Sequence, residues 1–207
     1  MIHYCTNCVL PSCKPVTAKE AKKTSASASS TINFQDGVCE ACRWNLIKEN
    51  SIDWGKREIE LKKLLDRFRS SDGSYDVIVP ASGGKDSVYV SHILKHKYDM
   101  TPLTVTWAPS LWTEQGRRNQ ENLVKSGFDN VLISPNGEIH RLLTKLAFTK
   151  LGHPFQPFIF GQRSVGPKMA LQYNVRLVFY GENVAEYGNP LEENYDPQMD
   201  VNLFTTY

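Results

Sequence analysis

The sequence predicts an α/β fold in which helices cover both faces of a parallel sheet, preceded by a small cysteine-bearing module. Two observations support this fold class. From residue 76 onward, short apolar runs alternate with longer amphipathic segments, a pattern typical of parallel strands joined by crossover helices. In addition, all five cysteines lie within the first 42 of the 207 residues, which sets this region apart from the rest of the chain.

The N-terminal module is predicted over residues 1–50. Its two Cys-x-x-Cys pairs are Cys5 with Cys8 and Cys39 with Cys42. Two such pairs can close a four-sulfur tetrahedral shell around one ion, so we predict a structural Zn²⁺ site, with unrelated free thiols as the alternative. Cys13 is then a spare thiol. The stretch Thr17–Thr31, rich in Ser, Ala and Lys, predicts a flexible insert between the pairs.

Residues 51–74 are predicted to link the two parts. Apolar residues near a 3.6-residue period predict a helix over Asp53–Ser70, with Asp53 as its N-cap, and the letters SSDGS then predict a turn. Beyond the turn, the predicted strands are Asp76–Pro80, Leu103–Trp107, Val131–Ser134 and Arg176–Tyr180. The predicted helices are Asp86–Lys97, Glu114–Ser126, Glu138–Leu151 and Ser164–Tyr173.

The second domain is predicted over residues 75–207. A parallel α/β sheet usually has more than four strands, and the tail Gly188–Tyr207 is mixed and acidic. We therefore expect this domain to be incomplete at its C-terminus.

The charge and hydropathy of the chain argue against nucleic-acid and membrane partners. Residues 76–207 carry 12 Lys and Arg against 13 Asp and Glu, whereas a domain that grips nucleic acid usually has a basic stripe. This balance argues against a nucleic-acid partner and favours a small substrate. No apolar run reaches the roughly 18 residues of a membrane span, and no secretory signal is visible. We expect no membrane partner and a cytoplasmic location.

The strongest chemical signal is the SGGKDS loop, Ser82–Ser87, which directly follows the predicted strand DVIVP and directly precedes a helix. Gly83 and Gly84 let the backbone pass close to an anion, while serine hydroxyls and first-turn amides can donate to phosphate oxygens. Asp86 would repel a phosphate directly, so a bridging Mg²⁺ is its natural partner. A plain polar turn is the alternative.

The spacing differs from a Walker A loop, which requires a glycine where Val79 stands and Ser or Thr where Asp86 stands. The loop resembles instead the SGGxDS loop of the PP-loop ATP pyrophosphatases, at Ser82, Gly83, Gly84, Asp86 and Ser87. The resemblance implies a Rossmann-like sheet of the adenine nucleotide alpha hydrolase type that binds ATP through Ser82–Ser87.

A second motif, YGEN followed by EYG, contains two glutamates and lies at the carboxyl end of the fourth predicted strand. Open α/β sheets bind ligands at this end of their strands. We predict that Gly181 contributes to the nucleotide site. Glu182 or Glu186 would complete the metal site opposite Asp86, unless the segment is only a solvated acidic turn. The predicted catalytic residues are therefore Lys85, Asp86 and Glu182.

The cysteine pairs (YCTNCVLP and GVCEACR), the SGGKDS loop and the segment GENVAEYG together resemble the N-acetyl sugar amidotransferases of surface-polysaccharide, lipopolysaccharide and nonulosonate biosynthesis. The resemblance implies that ATP adenylates the N-acetyl oxygen of a nucleotide sugar. Ammonia would then displace AMP, leaving an acetamidino group. Members of the family are longer at the C-terminus, and the insert Thr17–Thr31 departs from their compact spacing.

Two other functions remain open. Some tRNA thiolation enzymes combine zinc knuckles with SGGKDS, but they resemble one another in carrying catalytic-domain cysteines, and this chain has none after Cys42. A non-catalytic zinc-binding interaction module would leave the intact loop unexplained. For an amidotransferase, four cysteines are assigned to zinc and Cys13 lies in a Pro-flanked loop, so we predict a separate glutaminase subunit that supplies ammonia.

Overall fold

The computed structural model describes residues 2–13 and 32–182, which fall into two compact units divided between Trp54 and Gly55. The predicted insert Thr17–Thr31 and the tail Gly188–Tyr207 lie outside the described residues. The first unit holds a two-stranded antiparallel hairpin and one helix. Their bounds are β1 (Phe34–Gln35), β2 (Val38–Cys39) and α1 (Glu40–Asn50).

The hairpin turns at Asp36 and Gly37, both of which have positive φ angles, of 51° and 77°. An Asp-Gly pair is favoured at this kind of two-residue turn because both central positions require the left-handed region. The sequence analysis did not predict this hairpin. It joins the two short strands and leads straight into α1, so that Cys39 ends a strand and Cys42 lies in the first helical turn.

The second unit is an α/β structure with a three-stranded parallel sheet in the order β3-β4-β5. Its strands are β3 (Val77–Pro80), β4 (Pro102–Trp107) and β5 (Asp129–Ile133). Its helices are α2 (Trp54–Phe68), α3 (Lys85–His96), α4 (Glu114–Lys125), α5 (Gly137–Leu151) and α6 (Gln156–Gln172). The alternation of strand and helix agrees with the predicted fold class, and the bounds differ from the predicted ones by a few residues at most elements.

Both faces of β3 and β4 are largely buried, as expected for parallel strands, whereas β5 is partly exposed. Successive side chains of a strand point to opposite faces, so Ile78 joins one core cluster and Val77 with Val79 another. On the first face, Ile78 packs with Leu103 and Val105 of β4 and with the α6 side chains of Val165 and Met169. The second face of β3 packs against helices α2 and α3.

The predicted fourth strand, Arg176–Tyr180, is present only as a single parallel bridge between Ile78 and Val178. The Ile78 N–H donates to the Leu177 carbonyl at 2.9 Å, and the Phe179 N–H donates to the Ile78 carbonyl at 2.9 Å. This segment lies on the edge of β3 away from β4. Along the chain, β4 and β5 are added on one side of β3, and the Val178 segment is added on the other side. The order in which strands are added therefore reverses beside β3.

Helix α6 begins at Gln156, eight residues before the predicted start at Ser164. The residues that precede the predicted start, within the sequence HPFQPF (residues 153–158), therefore contribute the first turn of the helix. Pro157 is tolerated there because a first-turn N–H has no acceptor within its own helix. Within residues 2–13 and 32–182, no helix is long and apolar enough to cross a membrane.

Candidate functional site

Four cysteine sulfurs of the first unit form a compact cluster. The Sγ atoms of Cys5, Cys8, Cys39 and Cys42 all lie within 4.8 Å of one another. Cys5 and Cys42 are separated by 3.9 Å, and Cys8 and Cys39 by 3.6 Å. A tetrahedron with Zn–S bonds of about 2.3 Å has edges of about 3.8 Å. The four cysteines are therefore positioned to hold one metal ion and are consistent with zinc.

Backbone hydrogen bonds hold this cluster in place. The Cys5 sulfur accepts from the N–H of Asn7 at 3.4 Å and from the N–H of Cys39 at 3.3 Å, which links the two Cys-x-x-Cys turns. The Thr6 N–H donates to the Gly37 carbonyl at 3.0 Å, so the first turn also contacts the hairpin. Cys13 is exposed and lies outside the cluster.

The thiol pKa values differ within the cluster. Burial raises the pKa of Cys5, but backbone hydrogen bonds from Cys39, Asn7 and Cys8 outweigh burial and bring it down to about 6. Burial raises the pKa of Cys42, and the hydrogen-bonded neighbours Cys8 and Cys39 raise it further. Four adjacent thiolates would repel one another, so a divalent cation is the partner that lets all four ionise.

The SGGKDS loop of the second unit joins β3 to α3. Gly83 is buried with a φ of +78°, and Gly84 is the extended N-cap of α3. The Ser87 hydroxyl donates to the Gly84 carbonyl at 3.1 Å. No side chain caps this helix start, and the first-turn N–H groups have no acceptor within their own helix. A helix N-terminus of this form is suited to bind an anion.

Gly181 lies against the same helix start. A Cβ atom at Gly181 would be 2.9 Å from the Ser87 backbone nitrogen and 2.9 Å from the Asp86 carbonyl carbon. Glu182 is the next residue along the chain, and its side chain is exposed. The SGGKDS loop and Gly181 thus meet at the carboxyl ends of β3 and of the Val178 segment, where the sheet changes direction. Glu186 lies outside the described residues.

The charged side chains of the loop pair with each other. Lys85 Nζ lies 2.8 Å from Asp86 Oδ1, and the two side chains are 89% and 59% exposed. A surface ion pair of this kind contributes little to stability.

A cavity that the sequence analysis did not predict opens at the carboxyl ends of β4 and β5, between α5 and α6. Its volume is about 830 Å³. The larger lining side chains are Trp107, Ile133, Leu143, Leu146 and Phe160. His140 lines the same cavity, and its Nε2 atom is buried without a hydrogen-bond partner in the described part of the chain. The cavity was missed because the loop before Ser164 was not recognised as the start of α6.

Comparison with known proteins gives one partial similarity to report. An uncharacterized protein of Methanocaldococcus jannaschii is 30% identical to this chain over 95 residues. The similar region covers 45% of this chain and 34% of that protein, so the chain spans about a third of the length of this relative. No protein-family model matches the chain.

Proposed function

We propose that this chain is an ATP pyrophosphatase of the PP-loop type, which cleaves ATP to AMP and pyrophosphate in order to activate a carbonyl oxygen. The observation that carries the proposal is the position of the SGGKDS loop. It combines a helix N-terminus, a left-handed buried glycine and two serines at the point where the sheet changes direction. Open α/β sheets bind nucleotides at such points.

Each loop residue has a role in this proposal. The Ser82 hydroxyl and the first-turn amides of α3 donate to the pyrophosphate oxygens, and Lys85 neutralises phosphate charge. Asp86 would hold Mg²⁺, since one carboxylate together with substrate phosphates is a common set of ligands for this ion. When bound, Mg²⁺ stabilises the charge that grows on the departing pyrophosphate. Glu182 would be the second carboxylate at this end of α3.

We further propose that the activated group is the N-acetyl group of a nucleotide sugar. The acetamido oxygen attacks the α-phosphorus of ATP, the bond to the β-phosphate oxygen breaks, and pyrophosphate leaves. Ammonia then adds to the imidate carbon, and AMP leaves with the acetamido oxygen, so that an acetamidino group remains. This choice of acceptor rests on the resemblance of the cysteine pairs, the loop and the GENVAEYG segment to the amidotransferases of lipopolysaccharide and related pathways.

The cavity beside Trp107 supports an acceptor site, because it opens at the same edge of the sheet as the SGGKDS loop. Ligand pockets of α/β proteins are mostly apolar with a few polar groups, and here His140 is such a group. The four-cysteine centre has a structural role in this proposal. A closed shell of four sulfurs leaves no coordination position for a substrate.

The test is pyrophosphate release from ATP in the presence of an N-acetylated nucleotide sugar and ammonium. Asp86→Ala should abolish it, and Ser82→Ala should cost about 1–3 kcal/mol as one donor to a charged oxygen is lost. Asp66→Ala is the matched control, since Asp66 is also an exposed carboxylate in an ion pair, 3.4 Å from Arg69. Wild-type pyrophosphate release by Asp86→Ala would contradict the proposal.

A further inference from the structure

A partly buried polar network lies where β4, β5 and α4 meet next to the SGGKDS loop. Its side chains are those of Thr104, Thr106, Gln120 and Asn130. Thr104 and Thr106 are 0% and 2% exposed. A buried hydroxyl costs free energy unless it is hydrogen-bonded, and a valine of similar shape would fill the same position in a strand without that cost. Packing alone therefore does not explain why threonine hydroxyl groups are buried at these two positions.

The hydrogen bonds of the network have a defined direction. Gln120 Nε2 donates to Asn130 Oδ1 at 2.7 Å and to Thr106 Oγ1 at 3.3 Å. Asn130 Nδ2 donates to the hydroxyl oxygens of Thr104 and Thr106, each at 3.0 Å. Asn130 donates to both hydroxyls, so each threonine hydroxyl proton is left for another acceptor. For Thr106 the acceptors within reach are Gln120 Oε1, at 3.4 Å, and a backbone carbonyl that is nearer. Thr104 donates to Asp129 at 2.5 Å, and Thr106 donates to Ala81 at 2.5 Å.

The Ala81 carbonyl belongs to the peptide that starts the SGGKDS loop. The Ala81 N–H donates to the Val105 carbonyl at 2.8 Å, so this residue is held on both sides. No described peptide is cis, and in a planar trans peptide the C=O and N–H groups point in opposite directions. With the Ala81 carbonyl turned toward Thr106, the Ser82 N–H is turned away from the network. Thr106 thereby fixes the direction of the first amide donor of the loop.

Helix α4 makes a second contact with the loop. A Cβ atom at Gly83 would lie 3.0 Å from the backbone nitrogen of Gln120. Gln120 thus touches the loop with its backbone and reaches Thr106 with its side chain. The network joins the loop to α4 and β5, neither of which is adjacent to it in sequence.

We propose that Thr106 is a positioning residue of the SGGKDS loop, whose buried hydroxyl, oriented by Asn130 and Gln120, holds the Ala81 carbonyl and so presets the Ser82 amide for an anionic ligand. The inference rests on the proposed function only in taking the pyrophosphate end of ATP as that ligand. Thr106 does not itself touch the ligand.

Three variants test this inference. Thr106→Val removes the hydroxyl at nearly constant volume, Thr106→Ser keeps it, and Thr104→Val removes the neighbouring hydroxyl, which donates to Asp129 instead of Ala81. The first measurement is binding of ATP with Mg²⁺ by calorimetry. The second is hydrogen–deuterium exchange of the Ala81 amide, with thermal unfolding as a check on stability.

Thr106→Val should weaken ATP binding roughly tenfold, because a buried carbonyl loses its donor and the loop its fixed start. It should also speed exchange of the Ala81 amide, which donates to the Val105 carbonyl. Thr106→Ser and Thr104→Val should bind ATP within about twofold of the wild type, even where Thr104→Val loses as much thermal stability. Equal binding and equal exchange in Thr106→Val and Thr104→Val would overturn the inference.

Failure of the proposed function would be recognised separately. If the wild type did not bind ATP, the nucleotide assignment would fail, and exchange of the Ala81 amide would still decide the role of Thr106. Unchanged exchange in a folded Thr106→Val protein would then overturn the inference without reference to any ligand.

Discussion

A Cβ atom at Gly83 would lie 2.9 Å from the backbone carbonyl carbon of Asn119, so the SGGKDS loop and helix α4 are in backbone contact. Real Cβ atoms almost never approach a backbone carbon so closely. In addition, the φ of +78° at Gly83 lies in the left-handed region that disfavours residues with a side chain. Two separate requirements therefore keep this position as glycine.

Gly83→Ala should lower the free energy of unfolding by about 2–4 kcal/mol, the sum of left-handed strain and overpacking against a backbone that cannot rotate away. Gly73→Ala provides a matched control, because Gly73 has a φ of +80° with nothing within 4 Å of its Cβ position. The control should cost about 1–2 kcal/mol from strain alone. Urea unfolding measures both. Equal losses in the two variants would show that the contact with α4 contributes nothing.

The sequence predicted the unit of strand, loop and helix around Ser82–Ser87 because its signals are local. An apolar run is followed by two glycines and then by an amphipathic segment, and α3 begins within one residue of the predicted start. The partner of the loop could not be predicted in the same way. Asn119 lies on a polar stretch of α4, and nothing in its neighbours indicates contact with Gly83.

Helix α6 shows where local signals mislead. Gly161, Gly166 and Pro167 lie in its interior, where each residue lowers helix propensity. Tertiary contacts override that preference. A Cβ atom at Gly166 would lie 2.9 Å from Pro80 Cγ, and one at Gly161 would overlap the Trp107 ring. The glycines let α6 approach the sheet closely, which only the folded structure reveals.

Gly161→Ala should destabilise the protein by about 1–3 kcal/mol, because the Trp107 indole must leave its place and the cavity it lines must change shape. Thermal unfolding and tryptophan fluorescence report the two effects. Gly137→Ala is the control, since nothing lies within 4 Å of its Cβ position at the start of α5. This control should be neutral or slightly stabilising. A Gly161→Ala protein as stable as Gly137→Ala, with unchanged fluorescence, would refute the close packing.

The four-cysteine cluster should bind one Zn²⁺ per chain. Cys39→Ser should lose most of this zinc, because it removes a buried sulfur ligand. Cys13→Ser should retain it, since this exposed thiol lies outside the cluster. Elemental analysis of the purified proteins gives the stoichiometry. Less than half an equivalent in the wild type, or equal zinc in both variants, would exclude the site.

Removing the metal should unfold the first unit. Its small core consists of Cys5, Ile32 and Cys39 with a few half-buried neighbours, too few to compensate the entropy of folding without a metal. Chelation at neutral pH should therefore speed hydrogen exchange in residues 32–50, and restored zinc should reverse the change. Unaltered exchange after complete removal of zinc would show that this unit folds without it.

The proposed reaction needs a source of ammonia, and this source determines whether the chain requires a partner protein. Unprotonated ammonia is a minor species near neutral pH, so such enzymes usually obtain it from glutamine through a nucleophilic cysteine activated by a base. Four of the five cysteines form the metal cluster, and Cys13 lies in neither a helix nor a strand. A thiolate there lacks the helix N-terminus that commonly lowers a thiol pKa. We therefore predict a separate glutaminase subunit.

Ammonium should then support formation of the acetamidino sugar by this chain alone, whereas glutamine should support it only after the partner is added. Cys13→Ala should leave the ammonium-dependent rate unchanged, because that thiol has no part in ATP use. The same variant separates the two possible sources of glutamine turnover. If the chain alone used glutamine as fast as ammonium, and Cys13→Ala abolished only the glutamine reaction, Cys13 would be the nucleophile and no partner would be needed. ATP cleavage at the SGGKDS loop does not depend on where the ammonia comes from. That result would therefore not contradict the proposed role of the loop.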